Sequence, residues 1–252
     1  MKIAKKIILG ILLFPTCLLG MEQGSTKEND IFGNSVTLEW YKITDYKMRL
    51  NLYEQLVPEY SESFADNERE FLLDDALHIK KEYAEVVNAI PPENPWKSRI
   101  AIASADRKTR VEYWKQDILQ SIAKKRAELL DPPKKNYNTS SFFMVIAKDK
   151  TSTIMGFASF RLSHSAADVV AYLDVLAVVP TARRRGLAKL LVRSILKSIP
   201  EATQIGLNTR IWNTRAQAFY ISLGFTEYDR HDSEISFQWI KPKPKDGIFV
   251  KQ

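Results

Sequence analysis

The stretch from Leu173 to Ala188 constrains this chain more than any other. An apolar run, Leu173 to Pro180, passes into the basic triplet Arg183-Arg184-Arg185 and then, at Gly186, into an amphipathic helical pattern. A strand that feeds a helix through so short a loop gathers amides that have no acceptor inside the helix. Those amides and the helix dipole together favour an anion, phosphate above all. Gly186 and Ala188 leave room for a ligand to approach the backbone, and the arginines bring a charge suited to phosphate oxygens. A basic triplet alone is also the ordinary mark of a solvated surface, so the rest of the chain has to decide.

Apolar spacing divides the chain into three parts. Ser35 to Ile43 alternates as a strand, and Thr44-Asp45 opens a helix carrying Met48, Leu52 and Leu56 on one face. From about 59 to 135 the apolar residues recur every three or four positions, as in Leu72, Ala76, Ile79 and Tyr83, and again in Val111, Trp114, Ile118 and Ile122. That spacing predicts helices, and Phe71, Trp96 and Trp114 read as their packing residues. After Asn136 the pattern turns to strands: Phe142 to Ala147, Ile154 to Leu162 and Val169 to Val178. A strand at Gln204 to Thr209 follows, then a helix at Thr214 to Leu223 capped by Gly224, and a last hairpin within Phe225 to Ile240.

Asn213, Ala216, Phe219, Tyr220, Gly224 and Phe225 form a second constellation, one strand after the basic loop. Arg183-x-x-Gly186-x-Ala188, preceded by Leu176-Ala177-Val178-x-Pro180, resembles the Gln/Arg-x-x-Gly-x-Gly/Ala signature of the GNAT N-acetyltransferase superfamily. The run from Asn213 to Phe225 is similar to that family's second cofactor motif. The resemblance covers Phe142 to Ile240 clearly, covers Ser35 to Leu56 more loosely, and does not extend to residues 59–135.

The resemblance implies an α/β fold: a mixed, mostly antiparallel twisted sheet of about six or seven strands, flanked by helices and splayed between its central strands, with an added helical insertion. It implies acetyl-CoA, or a related acyl-CoA, as acyl donor and an amine as acceptor. The main-chain amides of Arg184, Arg185, Gly186, Leu187 and Ala188 would hold the diphosphate, with the side chains of Arg183, Arg184 and Arg185 adding charge. Leu176 and Val178 would offer backbone groups to the pantetheine arm, Asn213 would contact that arm, and Ala216 and Phe219 would line its wall. Tyr220 is the candidate general acid. Asp174 is the candidate general base, on the expectation that strand alternation puts it on one face with Leu176 and Val178. A catalytically degenerate module that binds acyl-CoA or a partner is the alternative.

Residues 1–20 differ from the rest. Lys2, Lys5 and Lys6 precede an apolar run over residues 7–20, which reads as a secretory signal or an N-terminal anchor with membrane association through that run; since the donor is an acyl-CoA, the anchor would face the cytoplasm or the protein would be delivered to a CoA-containing compartment such as a host cell. Residues 21–34 are polar and read as a linker, residues 35–241 as the transferase domain, and 242–252 as a loose Lys/Pro tail. Cys17 is the only cysteine, so a chain without its leader has no thiol nucleophile. His78, His164 and His231 lie far apart without metal-ligand spacing, and no metal is expected. The net charge of +7 falls to +4 once the three leader lysines are set aside, too little to suggest nucleic-acid binding.

Overall fold

Phe142 to Ala147 are all buried. A strand covered on both faces reads as a continuous apolar run rather than an alternating one, and this strand lies inside a sheet with helices on either side. The structure is a computed structural model that describes residues 21–43, 45–130, 141–164 and 169–242. The expected leader and most of the expected tail fall outside those residues. Among the described residues no helix is long and apolar enough to cross a membrane.

The elements run in the order β1 (Met21–Asn29), β2 (Ser35–Ile43), α1 (Tyr46–Gln55), α2 (Val57–Phe64), α3 (Asn67–Leu72), α4 (Lys81–Ala89), α5 (Pro95–Ala101) and α6 (Arg107–Leu130). β3 (Phe142–Lys148), β4 (Ile154–His164), β5 (Val169–Val178), α7 (Leu187–Ser198), β6 (Gln204–Arg210), α8 (Thr214–Ser222), β7 (Thr226–His231) and β8 (Glu234–Ile240) complete the chain. The eight strands form one sheet in the order β1-β2-β3-β4-β5-β6-β8-β7. Only β5 and β6 pair in parallel; every other pairing is antiparallel.

The sheet is therefore the mixed, mostly antiparallel one that the sequence implied, with eight strands instead of six or seven. The extra strand is β1, in the stretch expected to be a linker. Its nine residues pair in register with β2 from Met21↔Ile43 to Asn29↔Ser35. As an edge strand with no apolar alternation, it is held chiefly by its ladder hydrogen bonds.

Two apolar layers sandwich the sheet. On one face α7 presents Leu187, Leu191, Ile195 and Ile199, each at most 1 % exposed, to Phe143, Val145 and Phe160. Residues four apart share one helix face, and each such side chain contributes about 1.5–3 kcal/mol on burial. On the other face Leu56 packs on Met144, Ile146, Phe157 and Ala177, with Tyr53, Tyr60 and Phe64 around it.

The helices from α2 to α6 have apolar centres of their own. Trp114, Ile118 and Ile122 of α6 meet Leu50, Val57 and Ala65, while Leu72, Val87 and Ile100 gather around Trp212, which follows β6 and anchors this layer to the sheet. Trp114 is buried, and Trp96 and Phe71 pack at the edges of these clusters, so all three serve as packing residues. Arg110, almost wholly buried, donates to the carbonyls of Ala65 and Ala105 and to Asp66, tying α6 to the α2–α3 turn.

Glu68 in α3 is 3 % exposed. Burial pushes its carboxyl up to about 7, although Arg99 and Arg210 pull the other way. A carboxyl whose folded pKa lies above its unfolded value binds more protons when folded, so stability falls as pH rises from about 4.5 through about 7. Glu68→Gln should remove that pH dependence and raise the melting temperature at pH 8. Equal melting curves for variant and parent between pH 5 and 8 would show the carboxyl to be solvated.

Candidate active site

The parallel ladder between β5 and β6 runs only from Val170↔Gln204 to Leu173↔Leu207. Beyond Leu173 the two strands part, and, among the described residues, positions 175–178 of β5 pair with β4 alone. The sheet therefore has a gap with an unpaired backbone edge, bounded by the residues that the sequence had singled out.

The loop after β5 explains why those residues gather there. A short 3₁₀ turn at Pro180–Ala182 ends the strand, and α7 begins behind Gly186 at φ 76° without any side-chain cap. Arg184 also takes a positive φ, 60°. Left-handed positions separated by one residue turn successive amides inward, as anion-binding backbone does. Among the described residues the amides of 184 to 189 meet no acceptor; the first helical bond is Leu190 N–H to Gly186 O, at 3.1 Å.

The three arginines divide their work. Arg183 is half-buried and donates through Nη2 to the Ser63 carbonyl at 2.7 Å and through Nε to Val178 O at 3.3 Å. Arg185 donates through Nε to Asp30 at 2.7 Å. Arg184 is exposed and has no ion-pair partner among the described residues. Gly186 does not open onto empty space: a β-carbon there would lie 2.6 Å from Ile31 Cγ2, so this glycine admits the β1–β2 turn.

α8 borders the gap on its other side. Asn213 caps the helix, its side-chain oxygen accepting from Ala216 N–H at 3.1 Å. Gly224, at φ 87°, ends it. Gly224 N–H donates to Ile221 O and Phe225 N–H to Tyr220 O, the paired bonds of a glycine-terminated helix, and the Phe225 and Tyr220 rings meet at 5.6 Å as such an ending favours. Phe219 and Phe237 complete the aromatic cage around Tyr220. Burial pushes the Tyr220 phenol far above its ordinary pKa, which keeps it protonated and able to donate. Ala216 and Phe219 are half-buried on the same helix.

Asp174 departs from the expected alternation. The β4–β5 register shifts at this point, with Ser159 opposite Val175 and Phe160 opposite Leu173, so Asp174 is the extra residue of a bulge. Leu173, Leu176 and Val178 face the α7 layer, whereas Val175 and Ala177 face the α1–α2 layer. Asp174 lies with that second layer, on the opposite face from Leu176 and Val178. Its carboxylate accepts from Arg161 Nε at 2.9 Å and sits 3.6 Å from Arg49. Burial raises its pKa and outweighs both arginines, which pull it down.

A cavity of about 250 Å³ opens at Asp174, lined by Arg49, Tyr53, Tyr60, Arg99, Trp114, Asp117, Lys125 and Val175. Tyr53 and Ser159 share a short hydroxyl–hydroxyl hydrogen bond at its edge. A second, polar cavity of about 570 Å³ lies between α5 and the β6–β8 strands, lined among others by Trp96, Arg210, His231 and Glu234. Arg99 borders both cavities. It stacks between Trp96 and Trp114 at 4.5 and 4.4 Å and pairs with Asp117 at 2.6 Å. Arg49, Arg99 and Asp30 carry no sequence motif; only their spatial partners single them out. No group of three or more metal-ligating side chains occurs among the described residues.

The profile of the Acetyltransferase (GNAT) family matches residues 108–225. No curated protein matches the chain in sequence. Among solved structures, the chain is similar to the PaiA N-acetyltransferase of Thermoplasma acidophilum in complex with coenzyme A, at 18% identity over 80% of this chain and 98% of that one, with a TM-score of 0.40. It is similar to Arabidopsis thaliana NAA60 in complex with acetyl-CoA at 19% identity, over 39% of this chain and 76% of that one, with a TM-score of 0.35. The ribosomal-protein-S18-alanine N-acetyltransferase of Escherichia coli gives 22% identity over 43% and 75%, with a TM-score of 0.34. Residues 108–225 span α6, the gap in the sheet, the basic loop and α8, and over this segment the chain is similar to the GNAT family of acetyltransferases.

Proposed function

We propose that this protein moves an acetyl group from acetyl-CoA to a primary amine by direct attack of the amine on the thioester. The observation that carries the reading is the row of amides from 184 to 189, without acceptors among the described residues, beside the gap between β5 and β6. Those amides and the exposed Arg184 hold the donor's diphosphate. The open edge of β5 at Leu176 and Val178 offers backbone groups to the amides of the pantetheine arm, as a sheet edge does to an added strand. Asn213, Ala216 and Phe219 form the facing wall.

The gap is where the two faces of the sheet communicate, so a thioester placed there is reachable from the cavity at Asp174. Asp174 takes the proton that the amine loses as its nitrogen bonds to the acetyl carbon. The carbon–sulfur bond breaks, and the Tyr220 hydroxyl stabilises or protonates the departing thiolate. Positioning supplies much of the remaining barrier reduction. α5 and α6 bring Arg99, Trp114 and Asp117 to the same cavity, which supports a role for the helical insertion in choosing the acceptor. The basic and apolar leader, outside the described residues, supports export or anchoring with the domain facing a compartment that holds CoA.

The two guanidinium groups on Asp174 favour a second reading, a GNAT-fold module that binds acyl-CoA without turnover. Thiol release from acetyl-CoA across a panel of amines separates the two, since the module would bind CoA and release none.

Titration calorimetry of the full chain with acetyl-CoA should show saturable binding, and well-folded protein that gives no heat would end both readings. Tyr220→Phe should lower kcat about 10²-fold in thiol-release assays; an unchanged kcat would remove Tyr220 from the chemistry. The rate should climb with pH as Asp174 loses its proton, at a pH above the usual carboxylate range. Asp174→Asn should lose that rising limb, and a variant that keeps it would reject the base.

A further inference from the structure

The turn between β1 and β2 is built more tightly than a surface turn needs. The Asp30 side chain is 0% exposed. Its Oδ1 accepts from the amides of Phe32 and Asn34, each at 2.9 Å, and the Asn34 side-chain amide reaches both carboxylate oxygens. Its Oδ2 accepts from Arg185 Nε at 2.7 Å, across 155 positions of sequence. Burial would raise this carboxyl, yet Arg185, Asn34 and Phe32 together hold it at about 2. Asp30 is therefore an anion at any physiological pH.

Two more contacts from this turn reach the basic loop. Ile31 N–H donates to Arg185 O at 3.2 Å. The Ile31 side chain occupies the space that a β-carbon on Gly186 would need. Arg185 is thus gripped at its guanidinium and at its carbonyl, and Gly186 is backed by a methyl group. Both lie inside the row of unpartnered amides, between Arg184 at φ 60° and the first turn of α7. A non-glycine residue in the left-handed region persists only where its surroundings hold it there.

We infer that the β1–β2 turn is a brace for the donor's diphosphate, with Asp30 acting through Arg185 and Ile31 through Gly186 to keep the amides of 184–189 convergent before the ligand arrives. Both are positioning residues. The proposal rests on the acetyl-CoA reading above and adds a part of the chain outside the segment matched by the family profile. Preorganised donors lose less ordering entropy when an anion binds, so the brace is read in donor affinity and not in the rate of acetyl transfer.

The test compares full-length wild type with Asp30→Asn and Ile31→Ala, using two donors, acetyl-CoA and S-acetylpantetheine, which lacks the diphosphate. CoA binding is followed by calorimetry and folding by thermal melting. Asp30→Asn should weaken CoA binding and raise the KM for acetyl-CoA about tenfold, the scale of one lost charged hydrogen bond, while kcat at saturation holds. The kcat/KM for S-acetylpantetheine should not move, whereas general damage to the fold would lower both donors alike. Ile31→Ala removes a side chain that is 67% exposed, so it should fold even if Asp30→Asn does not, and it should weaken CoA binding about threefold. Wild-type protein that binds no CoA would defeat the acetyl-CoA reading itself. Wild-type binding with unchanged or tighter CoA affinity in the folded variants would overturn the brace alone, and tighter binding in Ile31→Ala would mark Ile31 as an obstruction.

Discussion

The parallel pairing of β5 with β6 ends at Leu173↔Leu207, and the bulge at Asp174 falls at the same place. Strand parting leaves main-chain groups without a ladder, and buried main-chain groups do not tolerate that unless something else satisfies them. Here Arg183 covers the carbonyl of Val178 and the remaining edge faces the opening. A fully zipped sheet would separate the two faces, leaving Asp174 on one and Leu176, Val178 and α8 on the other with no passage between them. The bulge adds the complementary step. One extra residue turns Asp174 toward the α1–α2 side while returning Leu176 and Val178 to the α7 side, so a single strand serves two chemical environments.

Charge is spent sparingly around the loop. Of its three arginines, Arg183 fastens the loop to α2 and Arg185 fastens it to the first hairpin, which leaves Arg184 facing solvent. The two cavities follow a different plan. Trp114, Arg99, Trp96 and Arg210 form a continuous stack, with Arg210 lying 3.8 Å over the Trp96 ring. Stacked guanidinium groups keep their charge while gaining apolar contact. Arg99, Trp96 and Arg210 line the larger cavity, and Arg99 and Trp114 the smaller one, so the stack gives each a planar wall.

Much of this is legible in the sequence. Leu187, Leu191 and Ile195 repeat at the helical interval and define α7; Gly224 marks the end of α8; the two motifs bracket the gap. What escaped has physical reasons. β1 reads MEQGSTKEN, a strand whose side chains have no apolar face to bury, so periodicity finds nothing and a linker is the natural expectation. A bulge leaves alternation intact on either side and conceals the shift between them, which is why strand alternation predicts the wrong face for Asp174. The Asp30–Arg185 pair joins residues 155 apart, and a single chain carries no local trace of such a partnership. Arg49, lying 3.4 Å over the Phe142 ring and close to Asp174, is hidden for the same reason.

The two outermost strands bear on how copies of this protein behave in a crowded solution. β1 carries Lys27 and Glu28, and β7 exposes all six of its residues, Glu227, Asp229 and Arg230 among them. The β7 register is also broken between Glu227 and Asp229. A neighbouring chain seeking to extend the sheet would have to strip water from these ions and match an irregular ladder. Among the described residues both edges of the sheet are open, and these features discourage it from growing into fibres.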